Sequence, residues 1–238
     1  MKLIYLLLFI TLTLFARGYE SPDNRSQAKN VLMMMHLDYK VTAVNSCQYD
    51  YDKSSCMDKS MVNGTSCQME EQNLTMRWMQ VVPDTFYGRE YSCMAQQPCT
   101  NIFSKKAFGG PMCCRRIDVT YRKMEADLFN LIPVVSLLAE QQNGRIFYDV
   151  VKVDVMLGKV KADQQYLEPP DETKGNIARV YLYMDETYDL HLSAKQKETY
   201  LRWHQKDAVD AKECDLGQLI LKVQGGNNHW IEEGCKRL

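Results

Sequence analysis

After an initial block that is almost unbrokenly apolar, apolar residues recur at helical spacing. From Ser26 to Tyr39, Val31, Leu32 and Met35 share one face, and Ser26 is placed to cap a helix. The pattern then breaks. Residues 40–75 are polar and cysteine-bearing, with Asn63-Gly64 as a turn signal. Trp78, Val81 and Val82, closed by Pro83-Asp84, predict a strand ending in a turn. Residues 88–118 carry four cysteines and Gly109-Gly110-Pro111; an irregular stretch of that length needs covalent staples or a function.

Helical spacing returns over Tyr121 to Glu140, where Met124, Leu128 and Leu131 form one stripe and Pro133 predicts a bend or restart. Phe147 to Val160 alternates as a strand would, with Val151, Val153 and Val155 on one face. The last third reads as helical. Ile177, Val180, Tyr181 and Met184 make a stripe, and Ser193 with Gln196, then Asp210 with Glu213, form capping boxes. Gly225-Gly226 ends the second of those helices. The sum is an α+β protein with a mainly helical C-terminal half. No repeat and no Gly/Ser/Pro linker divides it, so a single domain over residues 19–238 is expected.

The opening apolar block changes the picture of where this chain folds. Lys2 precedes an apolar run from Leu3 to Phe15, and Ala16-Arg17-Gly18 offers small residues for cleavage, so residues 1–18 are expected to be a secretory signal. The run is shorter than the roughly 20 apolar residues a membrane span needs, so the mature chain is expected to have none. Processing leaves 27 basic against 30 acidic side chains, a balance that excludes a strongly basic nucleic-acid coat. All nine cysteines survive it, and an exported chain folds where disulfides persist. Cys93 and Cys99 with the Cys113-Cys114 pair lack a histidine among them, which favours bridges over a zinc knuckle. Cys214 and Cys235 are expected to bond, tying down the last helical segment, and Cys47 with Cys67 would close an N-terminal loop. The rest of the pairing is open.

General catalytic signatures are missing: there is no Gly-x-Ser-x-Gly elbow, Walker loop, dinucleotide fingerprint or His-Glu-x-x-His helix. The four histidines (36, 191, 204 and 229) have no second ligand at useful spacing. Three runs nevertheless carry a resemblance. Tyr121-Arg122-Lys123-Met124-Glu125-Ala126-Asp127-Leu128-Phe129-Asn130-Leu131-Ile132-Pro133 looks like the metal-binding helix of the bacterial endonuclease I family, periplasmic or secreted nucleases with a ββα-metal (His-Me finger) site. Lys174-Gly175-Asn176-Ile177-Ala178-Arg179-Val180-Tyr181-Leu182-Tyr183-Met184 is similar to the family's Arg-Gly-x-Ile-Ala-Arg-x-Tyr-x-Tyr-Met, and Val223 to Asn228, followed by Trp230, to its Gln-Gly-Asn-His-Asn-Pro-Phe tail.

The resemblance fails at the catalytic strand. The family reads Glu-Trp-Glu-His-Val-Val-Pro; here the stretch is Arg77-Trp78-Met79-Gln80-Val81-Val82-Pro83. Gln80 therefore stands where the family's histidine acts as general base, and Met79 where a glutamate holds magnesium. An amide has no usable basicity near neutral pH, and a thioether is too soft for magnesium. Asn130 matches the family's other metal ligand, with Asp127 as a weaker candidate; Phe129 replaces a further histidine. Glu90, Asp118 and Glu125 are the other carboxylates within reach of a metal role, and nothing in their spacing favours them. Phosphate contacts implied by the resemblance fall on Arg115, Arg116, Arg122, Lys123, Lys174 and Arg179, around the substrate groove.

These features together predict an exported, monomeric α+β protein on a ββα-metal nuclease scaffold whose catalytic pair has been replaced. It would serve as a nucleic-acid-binding or protein-interaction module. If it is active instead, it hydrolyses DNA or RNA phosphodiesters with Mg2+. A third reading is a secreted effector or inhibitor that presents the groove to an unknown protein partner. Sequons at Asn24, Asn63 and Asn73 would be glycosylated only in a eukaryotic secretory pathway.

Overall fold

A computed structural model describes residues 21–35, 42–44, 49–51, 60–62 and 75–238. The expected signal segment and the Cys47–Cys67 bridge lie outside the described residues. The first helix, α1, runs Arg25–Met35. Its cap is Asn24 rather than Ser26: the Asn24 side chain accepts the Gln27 N–H at 3.1 Å and its carbonyl the Ala28 N–H at 3.0 Å. Ala28 and Leu32 are its buried residues.

Three short strands follow, β1 (Tyr49–Tyr51), β2 (Ser60–Val62) and β3 (Thr75–Gln80). Beyond β3 come two single-turn helices, α2 (Asp84–Tyr87) and α3 (Ser92–Ala95), and a hairpin of β4 (Cys99–Thr100) and β5 (Ala107–Phe108). Helices α4 (Pro111–Ile117) and α5 (Val119–Ala126) complete this cysteine-rich stretch. Cys93 is bonded to Cys114 and Cys99 to Cys113, so the staples expected from its length are present.

The expected helix over Tyr121–Glu140 is three elements. Helix α5 stops at Ala126 because Asp127 turns extended and caps a 3-10 turn, Leu128–Asn130, by accepting the Phe129 N–H at 2.9 Å. Strand β6 (Leu131–Val135) follows, then α6 (Ser136–Gln142). Strand β6 pairs antiparallel with β3, with Trp78 opposite Pro133 and Gln80 opposite Leu131. The sheet order β1-β2-β3-β6 puts β6 at an edge, where Pro133 needs no ladder N–H; its carbonyl instead accepts the Ala43 N–H at 2.7 Å.

A second sheet combines β7 (Ile146–Phe147), β8 (Val155–Leu157), β9 (Val160–Ala162) and β10 (Tyr166–Glu168) in the order β7-β10-β9-β8. The strand expected to run unbroken from Phe147 to Val160 is interrupted. Val151 is fully exposed and Val153 44% exposed, because the chain between β7 and β8 makes no ladder there, and Val155, paired with Ala162 at the sheet edge, still leaves 42% of its surface in solvent.

The C-terminal part is helical, with α7 (Lys174–Tyr188), α8 (Ala194–Lys206), α9 (Ala211–Gln224) and α10 (His229–Cys235). Both capping boxes form, and Gly225 closes α9 at φ 76°. Ile177, Val180, Tyr181 and Met184 are all buried. Gly175 is obligatory where α7 meets the end of α8: a Cβ would lie 2.0 Å from the Asp207 carbonyl oxygen. Tyr181 ties this layer to both sheets. Its ring stacks on Tyr200 at 4.3 Å, its hydroxyl donates to the Val81 carbonyl at 3.1 Å, and its oxygen accepts the Phe147 N–H at 3.1 Å. Cys214 and Cys235 are bonded, locking α10 to α9 as expected.

Candidate active site

The three residues that end β3, Trp78, Met79 and Gln80, are all buried. Gln80 is 4% exposed. Its Nε2 donates to the Tyr87 hydroxyl at 2.8 Å, and its backbone carbonyl accepts Gln142 Nε2 at 2.6 Å. Burial pushes the Tyr87 hydroxyl well above its ordinary range, so that neighbour stays protonated. The position therefore holds a neutral amide against a neutral phenol. Met79 places a thioether, 2% exposed, opposite Ile132.

Asn130 lies across the register from these residues and is wholly buried. Its Oδ1 accepts the Val82 N–H at 2.7 Å and its Nδ2 donates to the Val82 carbonyl at 3.1 Å, while its own carbonyl accepts the Val81 N–H at 2.9 Å. This two-armed clip fixes which way the amide points, because only oxygen can face the N–H. It also holds the chain as it leaves β3.

Asp127 is buried and turned inward. Oδ2 accepts the hydroxyls of Tyr183 and Tyr188, both at 2.8 Å, and Oδ1 caps the 3-10 turn. Burial raises its carboxyl above the usual range, opposed by the hydrogen bonds from Tyr188, Gln224 and Tyr183. Phe129 packs edge-on to Tyr183 with centroids 4.9 Å apart. It lines an apolar cavity of about 300 Å³ with Ile132, Ile177, Val180 and Leu216.

Magnesium takes hard oxygen donors in octahedral geometry and is bound through carboxylates. The residues at this place offer a thioether, two carboxamides already hydrogen-bonded and a carboxyl enclosed by tyrosines, which does not fit that ion. Among the described residues, no three His, Cys, Asp or Glu side chains gather where they could hold a metal. The other carboxylates singled out in the sequence have other partners. Both oxygens of Glu125 accept Arg115 Nε at 2.6 Å, Asp118 caps α5 by accepting the Tyr121 N–H at 2.8 Å, and Glu90 pairs with Arg89 at 3.2 Å.

The expected phosphate-binding cations divide into two groups. Lys174 and Arg179 do not face solvent, contrary to expectation. Lys174 Nζ lies 2.6 Å from Glu168 and 2.9 Å from Asp171. Arg179, 0% exposed, grips both Glu213 oxygens at 2.9 and 2.6 Å and donates to the Asp207 carbonyl at 2.7 Å. The arginine of the Ile-Ala-Arg run is thus a core ion pair, needed because a buried guanidinium must be matched. Arg116 and Lys123 are exposed, and Arg122 is half-buried, donating to the Arg115 carbonyl at 2.8 Å.

His191 and His229 pair with Asp189 and Glu186, both at 3.0 Å, and His204 is pushed down by burial and by Arg179; His36 lies outside the described residues. What sequence reasoning missed is Tyr87 and Gln142, which hold Gln80, Tyr188, which with Tyr183 encloses Asp127, and the contact of Tyr181 with the end of β3. Each sits far along the chain from its partner or in a short turn, so no spacing rule pairs the two.

The Endonuclease I family model matches residues 13–235. Among similar proteins, an Endonuclease-1 of Buchnera aphidicola subsp. Baizongia pistaciae is 31% identical over 168 residues, 68% of this chain and 63% of that protein. An Endonuclease-1 of Buchnera aphidicola subsp. Acyrthosiphon pisum is 25% identical over 90% of this chain and 82% of its own length. An extracellular deoxyribonuclease of Aeromonas hydrophila is 27% identical over 88% of this chain and 89% of its own length. The match to the first of these spans somewhat less than two thirds of that relative. With the α+β architecture and disulfides that fit an exported protein, the match over nearly the whole length establishes that the chain belongs to the Endonuclease I family.

Proposed function

We propose that this protein is an exported member of the family that has lost phosphodiester hydrolysis and kept a nucleic-acid-binding role. The residue set at the end of β3 carries the reading. A neutral Gln80 amide bonded to Tyr87 replaces a proton acceptor, and Met79 replaces a hard ligand. A positioned general base contributes typically ~100- to 10,000-fold in rate, and none of the bonded groups at this position can take a proton near neutral pH. Binding needs only arranged cations, and Lys105, Lys106, Arg116 and Lys123 are exposed within one short stretch of the chain. Residues 1–18 act as the export signal and residues 19–238 as one monomeric domain; the extracellular and periplasmic deoxyribonucleases among the relatives support that destination.

The test is a double substitution, Met79→Glu with Gln80→His, assayed for plasmid nicking with Mg2+. Hydrolysis gained by that protein and abolished by EDTA supports the reading. A folded double variant that stays inert means that β3 is not the catalytic strand or that the groove does not accept substrate. Salt-sensitive retention of the wild-type chain on immobilised DNA supports the binding role, and failure to be retained points to a protein partner instead.

A further inference from the structure

We infer that the β4–β5 hairpin is a contact site for single-stranded nucleic acid, with Phe103 as the side chain on which an unpaired base stacks; this rests on the nucleic-acid-binding reading above. The loop between the strands, residues 101–106, carries Ile102 and Phe103 at its tip, 61% and 88% exposed. Isolated surface apolar residues are ordinary. This one is held out by its surroundings. The Asn101 side chain accepts the N–H groups of Phe103 and Ser104, both at 2.9 Å. Asn101 N–H donates to the Lys106 carbonyl and Lys105 N–H to the Asn101 carbonyl, both at 2.9 Å.

The base of the hairpin is equally fixed. Cys99 is bonded to Cys113, and Gly110 N–H donates to the Cys93 carbonyl at 2.8 Å. A Cβ on Gly109 would fall 1.9 Å from the Gln96 carbonyl oxygen, so the chain returning from β5 is pressed against the end of α3. A ring presented on such a frame loses little conformational freedom when a ligand meets it.

Charge identifies that ligand. Between Tyr91 and Met124 the chain has Lys105, Lys106, Arg115, Arg116, Arg122 and Lys123 against the single acid Asp118, in a protein whose net charge is −1. Arg115 is matched by Glu125 and Asp118 is used as a cap. Among the described residues the other five cations have no carboxylate partner, and Arg116 reaches the hairpin itself, donating to the Thr100 carbonyl at 3.2 Å. An aromatic side chain beside Lys and Arg that can follow a phosphate backbone is the arrangement by which proteins hold single strands without reading sequence. A duplex hides its base faces, whereas a strand offers one to a narrow tip. An anionic bilayer would share the charge preference, but the tip presents one aromatic and one aliphatic side chain where interfacial anchoring uses a broad apolar face.

Fluorescence anisotropy with a short labelled oligothymidylate in EDTA tests this on the full disulfide-bonded chain. Phe103→Ala is expected to weaken binding by about 10-fold while Phe103→Trp retains it, with indole emission quenched on binding. Lys105→Ala with Lys106→Ala is expected to lower the slope of log affinity against log salt by about 1.4. Wild-type binding that Phe103→Ala leaves unchanged overturns the hairpin site and spares the binding role. No wild-type binding overturns both. Loss of binding to phosphatidylserine vesicles in Phe103→Ala, with oligonucleotide binding intact, reassigns the tip to lipid.

Discussion

At Gln80 and Asn130 the chemistry of single side chains decides what the strand end can do. Both are amides, and both are used to hold protein rather than substrate: Gln80 donates to Tyr87, and Asn130 clips both backbone groups of Val82. Replacing Asn130 with Ala leaves the Val82 N–H and C=O without partners in the interior. That should cost about 1–3 kcal/mol, measured by urea unfolding. An unchanged midpoint would show that the clip contributes nothing. The identities of Met79 and Gln80 were legible as departures from a motif; the Tyr87 partner and the Asn130 clip were not, because they depend on how a turn and a ladder place groups that sequence spacing does not relate. Asp127 shows the same limit: three residues from Asn130 and expected on one helix with it, it is instead a cap enclosed by Tyr183 and Tyr188.

Among the elements, the C-terminal helices were readable because their signals are local. Ser193 with Gln196 and Asp210 with Glu213 are contained within one turn each, and Gly225 needs only its own positive φ. Strand β6 was not readable, because Met124, Leu128 and Leu131 are buried at helical spacing from a helix, a 3-10 turn and a strand, and an edge position tolerates Pro133. Helix α7 carries the strongest element-level prediction. Arg179→Ala leaves Glu213 buried without its partner, which should cost about 3–5 kcal/mol in thermal or urea unfolding, while oligonucleotide affinity of the folded fraction stays unchanged. A surface role would give the opposite pattern. The start of α7 adds a pH dependence. Hydrogen bonds from Lys206 and then Lys174 hold the Asp171 carboxyl down to about 2. A lowered carboxylate contributes stability above its unfolded value of about 4, and that contribution is lost as pH falls toward about 2. The melting-temperature gap between wild type and Asp171→Asn should therefore close over that interval; a gap constant with pH would rule the ion pair out as its source.

In the whole molecule, the covalent cross-links and the charge distribution set what remains possible. Removing the Cys214–Cys235 bridge by a double change to Ala frees α10 and should cost about 2–4 kcal/mol in unfolding free energy, a loss that reducing agent should reproduce in part. The fold class, the export environment and the family were legible along the chain, since hydrophobic pattern, cysteine usage and three ordered motifs are all one-dimensional signals. The division of the cations was not: Lys174 and Arg179 enter the core while Arg116 and Lys123 stay exposed, which only packing could reveal. On the proposed reading, the family scaffold persists here without the groups that cleave a phosphodiester. Incubating purified wild-type protein with supercoiled plasmid and Mg2+, beside an active family member, measures it directly. Plasmid is expected to stay supercoiled at matched concentrations; nicking at a comparable rate, stopped by EDTA, would overturn the proposed loss of hydrolysis.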